Sequence, residues 1–326
     1  MIELEDVRSA RQRVMPYLKR TPLVRSDLLS QEFGSNVYLK LELFQRTGSF
    51  KPRGALNQIM QLDKESRNRG VVGVSGGNFA QGAAFAGNQL GVETVICMPA
   101  YTPANYIEGT KSYGARVELA PDIAAAFEKA HDFESQGYAG IHPYDNPAMI
   151  AGSGIIGLEI FEDLPEMTDL FISIGGGGSL AGNIISLKAL NPKIRIRGIE
   201  TEGSETMGEA LKAGRVVQIT PRSLARTLGA PNVSQDSLHL AQEHLEGYRV
   251  VSDLEAIRAQ RWLLEKEKIL VELAASCTLA AMRAVKREEA GRFGEYDHVV
   301  LLICGGNESL ENMIRYTELE AETAKI

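Results

Sequence analysis

Basic runs, long apolar runs and paired cysteines are all missing from this chain, and each absence closes off a class of protein. Lys and Arg total 35 against 42 Asp and Glu, a formal net charge of −7, and no basic stretch offsets it, so nucleic-acid binding has no support. No apolar run approaches the roughly 20 residues that cross a bilayer. The acidic start Met1-Ile2-Glu3-Leu4-Glu5-Asp6 also lacks the apolar core of a signal peptide. Cys97, Cys277 and Cys304 are the three cysteines; they sit in apolar runs without metal-ligand spacing. Buried thiols in a reducing compartment fit that pattern. The expectation is a cytoplasmic protein with neither membrane nor nucleic-acid partners.

Glycine is what the chain has in excess, 32 residues gathered in turns rather than spread as low complexity. With 326 residues, one or two domains are expected. A helix is predicted over 5–17, a second over 26–33 stopped by Gly34, and a strand over 37–42. From Gly70 the rhythm becomes strand, glycine turn, helix, strand, and the block to residue 142 reads as a compact α/β unit. His142-Pro143-Tyr144-Asp145-Asn146-Pro147 is the most turn-like linker. Beyond it a glycine-punctuated helix, a buried strand and further alternation follow. Ser252-Asp253-Leu254-Glu255 forms a capping box opening a helix predicted through Lys268. Such alternation predicts parallel sheets covered on both faces.

Three stretches carry chemistry. Thr47-Gly48-Ser49-Phe50-Lys51-Pro52-Arg53-Gly54-Ala55 places a lysine at the mouth of a helix, since Pro52 suits its first position. The positive end of the helix dipole, with Arg53 as a second cation, would favour the free amine that Schiff-base chemistry needs. The tetraglycine Gly175–Gly178, followed by Ser179, lies between a strand and a helix, an arrangement that turns successive N–H groups toward an anion such as phosphate. A rival exists: Gly176, Gly178 and Ala181 match a dinucleotide fingerprint, with Glu200 near the position of a ribose-binding acid. Ser75-Gly76-Gly77-Asn78-Phe79 is a second strand-to-helix turn able to hold a carboxylate, and Cys304-Gly305-Gly306-Asn307 ends the last strand.

In that order, and over nearly the whole chain from Thr21-Pro22-Leu23 onward, these stretches resemble the fold-type II pyridoxal-phosphate enzymes, in the serine/threonine dehydratase and serine racemase branch. The resemblance implies a two-domain α/β fold like that of tryptophan synthase β, each domain a mostly parallel sheet flanked by helices. Residues 1–65 and 148–326 would form the large cofactor-binding domain, and 66–147 a small, mobile, substrate-binding one. It implies pyridoxal 5'-phosphate bonded to Lys51, packed by Phe50, with Asn78 at its phenolic oxygen. Gly175, Gly176, Gly177, Gly178 and Ser179 would cradle its phosphate, and Cys304 would face its pyridine nitrogen. Ser75, Gly76, Gly77, Asn78 and Phe79 would bind the substrate, with Glu272 a weaker candidate near the ring. The activity implied is that of an ammonia-lyase in amino-acid catabolism, working as a homodimer. Lys51 would take the α-proton of L-threonine, L-serine or a bulkier β-hydroxy amino acid, hydroxide would leave, and a 2-oxo acid and ammonia would result. Serine or hydroxyaspartate racemisation and β-replacement remain alternatives, as do an NAD(P)-dependent oxidoreductase and a silent binding protein on the same scaffold.

The chain departs from the family pattern in three places. Gly76 stands where racemases carry a serine, which disfavours racemisation. Phe79 replaces a histidine, and either favours an apolar β-substituent such as that of phenylserine or packs beneath the loop. Arg222 and Arg226 stand where relatives bind a cation through acids, so no metal is expected.

Overall fold

The short apolar runs between glycine turns become the strands of two sheets in the computed structural model, which describes residues 2–323. The larger sheet contains β1 (Leu23–Arg25), β2 (Asn36–Leu41), β7 (Asp169–Ser173), β8 (Arg195–Thr201), β9 (Leu245–Val251) and β10 (His298–Ile303), in the order β1-β2-β10-β7-β8-β9. The smaller holds β3 (Val71–Val74), β4 (Thr94–Pro99), β5 (Arg116–Ala120) and β6 (Ala139–Ile141), in the order β5-β4-β3-β6. Every pairing in the smaller sheet is parallel. In the larger one β1 runs antiparallel to β2, with Leu23 opposite Lys40. The sheet is thus mostly parallel, as expected; the edge strand, at three residues and largely exposed, has no alternation for a sequence pattern to reveal.

Apolar clusters fill the space around both sheets. Leu39, Phe171, Ile199 and Leu301 belong to the core of the larger one. Phe79, Ile96 and Ile141 pack on one face of the smaller, while Val72, Val95 and Cys97 pack on the other. All three cysteines are free and buried.

Helices Lys51–Met60, Pro147–Asp163 and Gly178–Leu190 pack side by side through glycines. A Cβ on Gly152 would lie 2.5 Å from the Arg53 carbonyl oxygen, and one on Gly182 would lie 2.3 Å from that of Ile150. Both contacts are below van der Waals separation, so the glycine punctuation is what lets these backbones approach. The capping box at Ser252 forms, but its α-helical part ends at Trp262. A π-turn over Leu263–Glu267 follows, and Lys268 closes it in the left-handed region at φ 62°. Nothing in a periodic sequence marks such a wide turn, so the predicted helix keeps its extent to Lys268 but widens over its last turn.

Candidate active site

Lys51 is the first residue of helix Lys51–Met60, with Pro52 second. Its Nζ donates to the Pro143 carbonyl at 2.7 Å and lies 5.0 Å from the centre of the Phe50 ring. Burial strips the ammonium of water and pulls its pKa down to about 8, against an opposing pull from Cys304 and Glu272. Arg53 is not the helper that the sequence suggested. Its guanidinium turns away into a fully buried cluster, bidentate to Glu42 (2.8 and 2.9 Å) and to Glu159 (2.9 Å on each oxygen). Lys40 completes the cluster, 2.6 Å from Glu159 and 2.8 Å from the Thr21 carbonyl.

The lysine loop is stitched to the end of β10. Phe50 N–H donates to the Cys304 carbonyl (3.2 Å), Gly306 N–H to that of Gly48 (2.8 Å), and Ser49 forms a bridge with Gly305. Asn307 donates through Nδ2 to the Thr47 carbonyl (2.8 Å) and to Asn78 Oδ1 (2.7 Å). The Asn78 amide in turn donates to both oxygens of Glu272, at 2.8 and 2.9 Å. Thr227 (3.1 Å) and the Tyr106 hydroxyl (3.5 Å) donate to the same carboxyl, with the Cys304 thiol 3.9 Å away. Glu272 is therefore the hub of this network, a larger part than the sequence reading gave it. The available signal was an acid wedged in the run Val271-Glu272-Leu273-Ala274.

Burial raises Glu272 to about 7, outweighing the opposing hydrogen bonds from Asn78 and Thr227. A carboxyl whose folded pKa exceeds its unfolded value stabilises the fold fully below the unfolded pKa, and that contribution is lost as pH rises through the folded one. The cofactor-free protein should thus lose stability between pH 4.5 and about 7. Urea unfolding across that range should show a flatter slope in Glu272→Gln; an unchanged slope would exclude Glu272 as its source.

The tetraglycine begins as a loop and ends as a helix: Gly177, at φ 88°, caps helix Gly178–Leu190. Gly178 and Ser179 therefore lie in its first turn, where N–H groups have no partner within the helix. A Cβ on Gly176 would enter the Tyr144 ring at 2.2 Å, one on Gly178 would meet the Tyr144 carbonyl at 2.7 Å, and one on Gly177 would meet Ser237 at 2.5 Å. Tyr144 is held by its hydroxyl, which donates to Asn232 at 2.7 Å. Ser179 Oγ is buried with no hydrogen-bond partner among the described residues. Glu200 cannot serve a ribose: it is buried, accepting from the N–H groups of Met207 (2.8 Å) and Gly208 (2.9 Å) and from the Tyr248 hydroxyl (2.8 Å). The dinucleotide alternative loses its acid to the N-terminus of helix Thr206–Ala213.

At the second turn, Gly77 N–H donates to Ser75 Oγ (3.2 Å), and helix Asn78–Leu90 begins with no side-chain cap on its first turn. The Phe79 ring is 2% exposed and packs in the small-sheet core beside Gly73 and Ile141. It thus packs beneath the loop, the second of the two possibilities. Arg222 and Arg226 are exposed, and neither pairs with an acid among the described residues.

Two sheets with a half-buried lysine, a glycine cradle and an acid-centred network at their strand ends define an α/β enzyme scaffold organised around one side chain. The chain belongs to the pyridoxal-phosphate dependent enzyme family, whose model matches residues 14–305. Its cofactor is accordingly pyridoxal phosphate. It is 36% identical over 313 residues to L-threonine ammonia-lyase of Thermotoga maritima, covering 94% of this chain and 76% of that one. It is 32% identical to L-threo-3-hydroxyaspartate ammonia-lyase of Saccharomyces cerevisiae, covering 96% and 95%. The solved structure of maize serine racemase superposes with a TM-score of 0.90 over 99% of both chains, at 27% identity. No helix among the described residues is long and apolar enough to cross a membrane.

Proposed function

We propose that this protein is an ammonia-lyase that converts a β-hydroxy amino acid into a 2-oxo acid and ammonia. The half-buried Lys51 amine, drawn down to about 8 in a loop stitched to the last strand, is the observation that supports this most. Lys51 would bond the cofactor's aldehyde, with Phe50 against the ring and Asn78 and Cys304 around it. The stretch Gly175–Ser179 would hold the phosphate, for which the crowded glycines and the unpartnered Ser179 hydroxyl are suited. Bound there, the cofactor supplies a sink for the electron pair left at the substrate's α-carbon. Lys51 Nζ takes the α-proton, and the Pro143 carbonyl, 2.7 Å from it, accepts a hydrogen bond from the ammonium so formed. Ser75, Gly76, Gly77, Asn78 and Phe79 would receive the substrate carboxylate on the first N–H groups of their helix. Residues 66–147, which contain the whole smaller sheet, would move as a unit over the site.

Incubating the holoenzyme separately with L-threonine, L-serine, L-threo-3-hydroxyaspartate and L-phenylserine tests this. Equal amounts of 2-oxo acid and ammonia are expected from at least one. D-enantiomer without 2-oxo acid would replace elimination by racemisation, although Gly76 brings no proton donor of its own.

A further inference from the structure

The turn Ser75–Asn78 has a hydroxyl standing over it that belongs to another element. Thr102 follows β4 and is 8% exposed. Its Oγ1 lies 2.7 Å from where a Cβ on Gly76 would be. The backbone of Thr102 is anchored, its N–H donating to the Pro99 carbonyl at 3.0 Å. The hydroxyl itself makes no hydrogen bond among the described residues, whereas Ser75 Oγ accepts from Gly77 N–H and the Thr227 hydroxyl is committed to Glu272. More than nine-tenths of the residue is buried while its hydroxyl has no protein partner, which leaves that donor to a ligand in the cleft. Here it adjoins the uncapped first turn of the 13-residue helix Asn78–Leu90, whose free N–H groups and dipole favour an anion. A side chain at position 76 would collide with the hydroxyl, so glycine there and threonine at 102 are matched.

We propose that Thr102 is a substrate-binding residue whose hydroxyl donates to the carboxylate of the incoming amino acid, beside the N–H groups of the 75–79 turn. This rests on the ammonia-lyase reading for the identity of the substrate. The pairing also sets specificity: an α-carboxylate meets a donor that an amide or ester does not use as well.

The test titrates holoenzyme with L-alanine, which carries the carboxylate but no leaving hydroxyl, and with L-alaninamide, following the visible absorption of the cofactor. In Thr102→Val the affinity for L-alanine should fall about tenfold, the loss expected for one hydrogen bond to a charged group. L-alaninamide should bind as in the wild type, and Thr102→Ser should restore L-alanine binding. With the turnover substrate, KM should rise by more than kcat falls. Unchanged L-alanine affinity in Thr102→Val, or equal weakening of both ligands, would overturn the assignment. If the wild type releases no 2-oxo acid from any β-hydroxy amino acid, the ammonia-lyase reading fails, while the alanine titration still decides Thr102.

Discussion

Lys51→Ala is expected to lower release of 2-oxo acid by at least about 10³-fold, because one substitution removes both the covalent anchor and the base. The size follows from how little else is placed to take the α-proton. Among the neighbours of Nζ, the Pro143 carbonyl only accepts hydrogen bonds. Burial holds the Cys304 thiol well above its ordinary pKa, and therefore protonated. Glu272, which burial raises to about 7, has its two oxygens engaged by Asn78, Thr227 and Tyr106. Treatment with borohydride should attach the cofactor permanently to the wild-type protein at Lys51 and leave the variant unlabelled. A variant within tenfold of wild-type turnover would remove Lys51 from the centre of the mechanism. The loop itself should survive the change, since its ties to Cys304 and Gly305 run through the backbone.

Arg53→Met should cost about 3–5 kcal/mol of stability, the usual penalty for taking one member from a fully buried ion cluster. Arg53, Lys40, Glu42 and Glu159 all have side chains with 0% exposure, and two cations balance two carboxylates. Without the guanidinium, Lys40 alone faces two acids in a site that water does not reach. Equilibrium urea unfolding, with the midpoint and slope read together, would measure the loss; a change under about 1 kcal/mol would mean that the cluster relaxes or admits water. The same variant should loosen the placement of Lys51, because Glu159 lies on helix Pro147–Asp163 and Glu42 directly follows β2. Arg53 is thus what fixes the rotation of the lysine helix against the larger sheet.

Arg53 also shows where sequence reasoning stops. Its nearness to Lys51 along the chain suggested a shared electrostatic environment, but residues two apart on a helix point to nearly opposite sides. Local signals were legible because their physics is local. The Gly34 stop and the capping box at Ser252 lie where the pattern put them. The lysine at a helix mouth and the glycines between strand and helix could be read for the same reason. Thr102 over Gly76, Tyr144 against Gly176, and Tyr106 reaching Glu272 could not, because each pairs residues that only the folded chain brings together. The rival role for Glu200 fails on the same ground: its spacing suited a ribose, while its oxygens accept from a helix end and a tyrosine.

The stitching of residues 48–50 to residues 304–306 has a consequence for the order of events during synthesis. β10 lies between β2 and β7, so the larger sheet stays in two pieces until nearly the last of the chain is available. The smaller sheet draws all its strands from residues 71–141 and can close much earlier. A ribosome-bound chain paused before His298 would therefore carry a folded small sheet while its lysine loop still waited for a partner strand. Until then, the amine that the finished protein half-buries would be an ordinary, hydrated one.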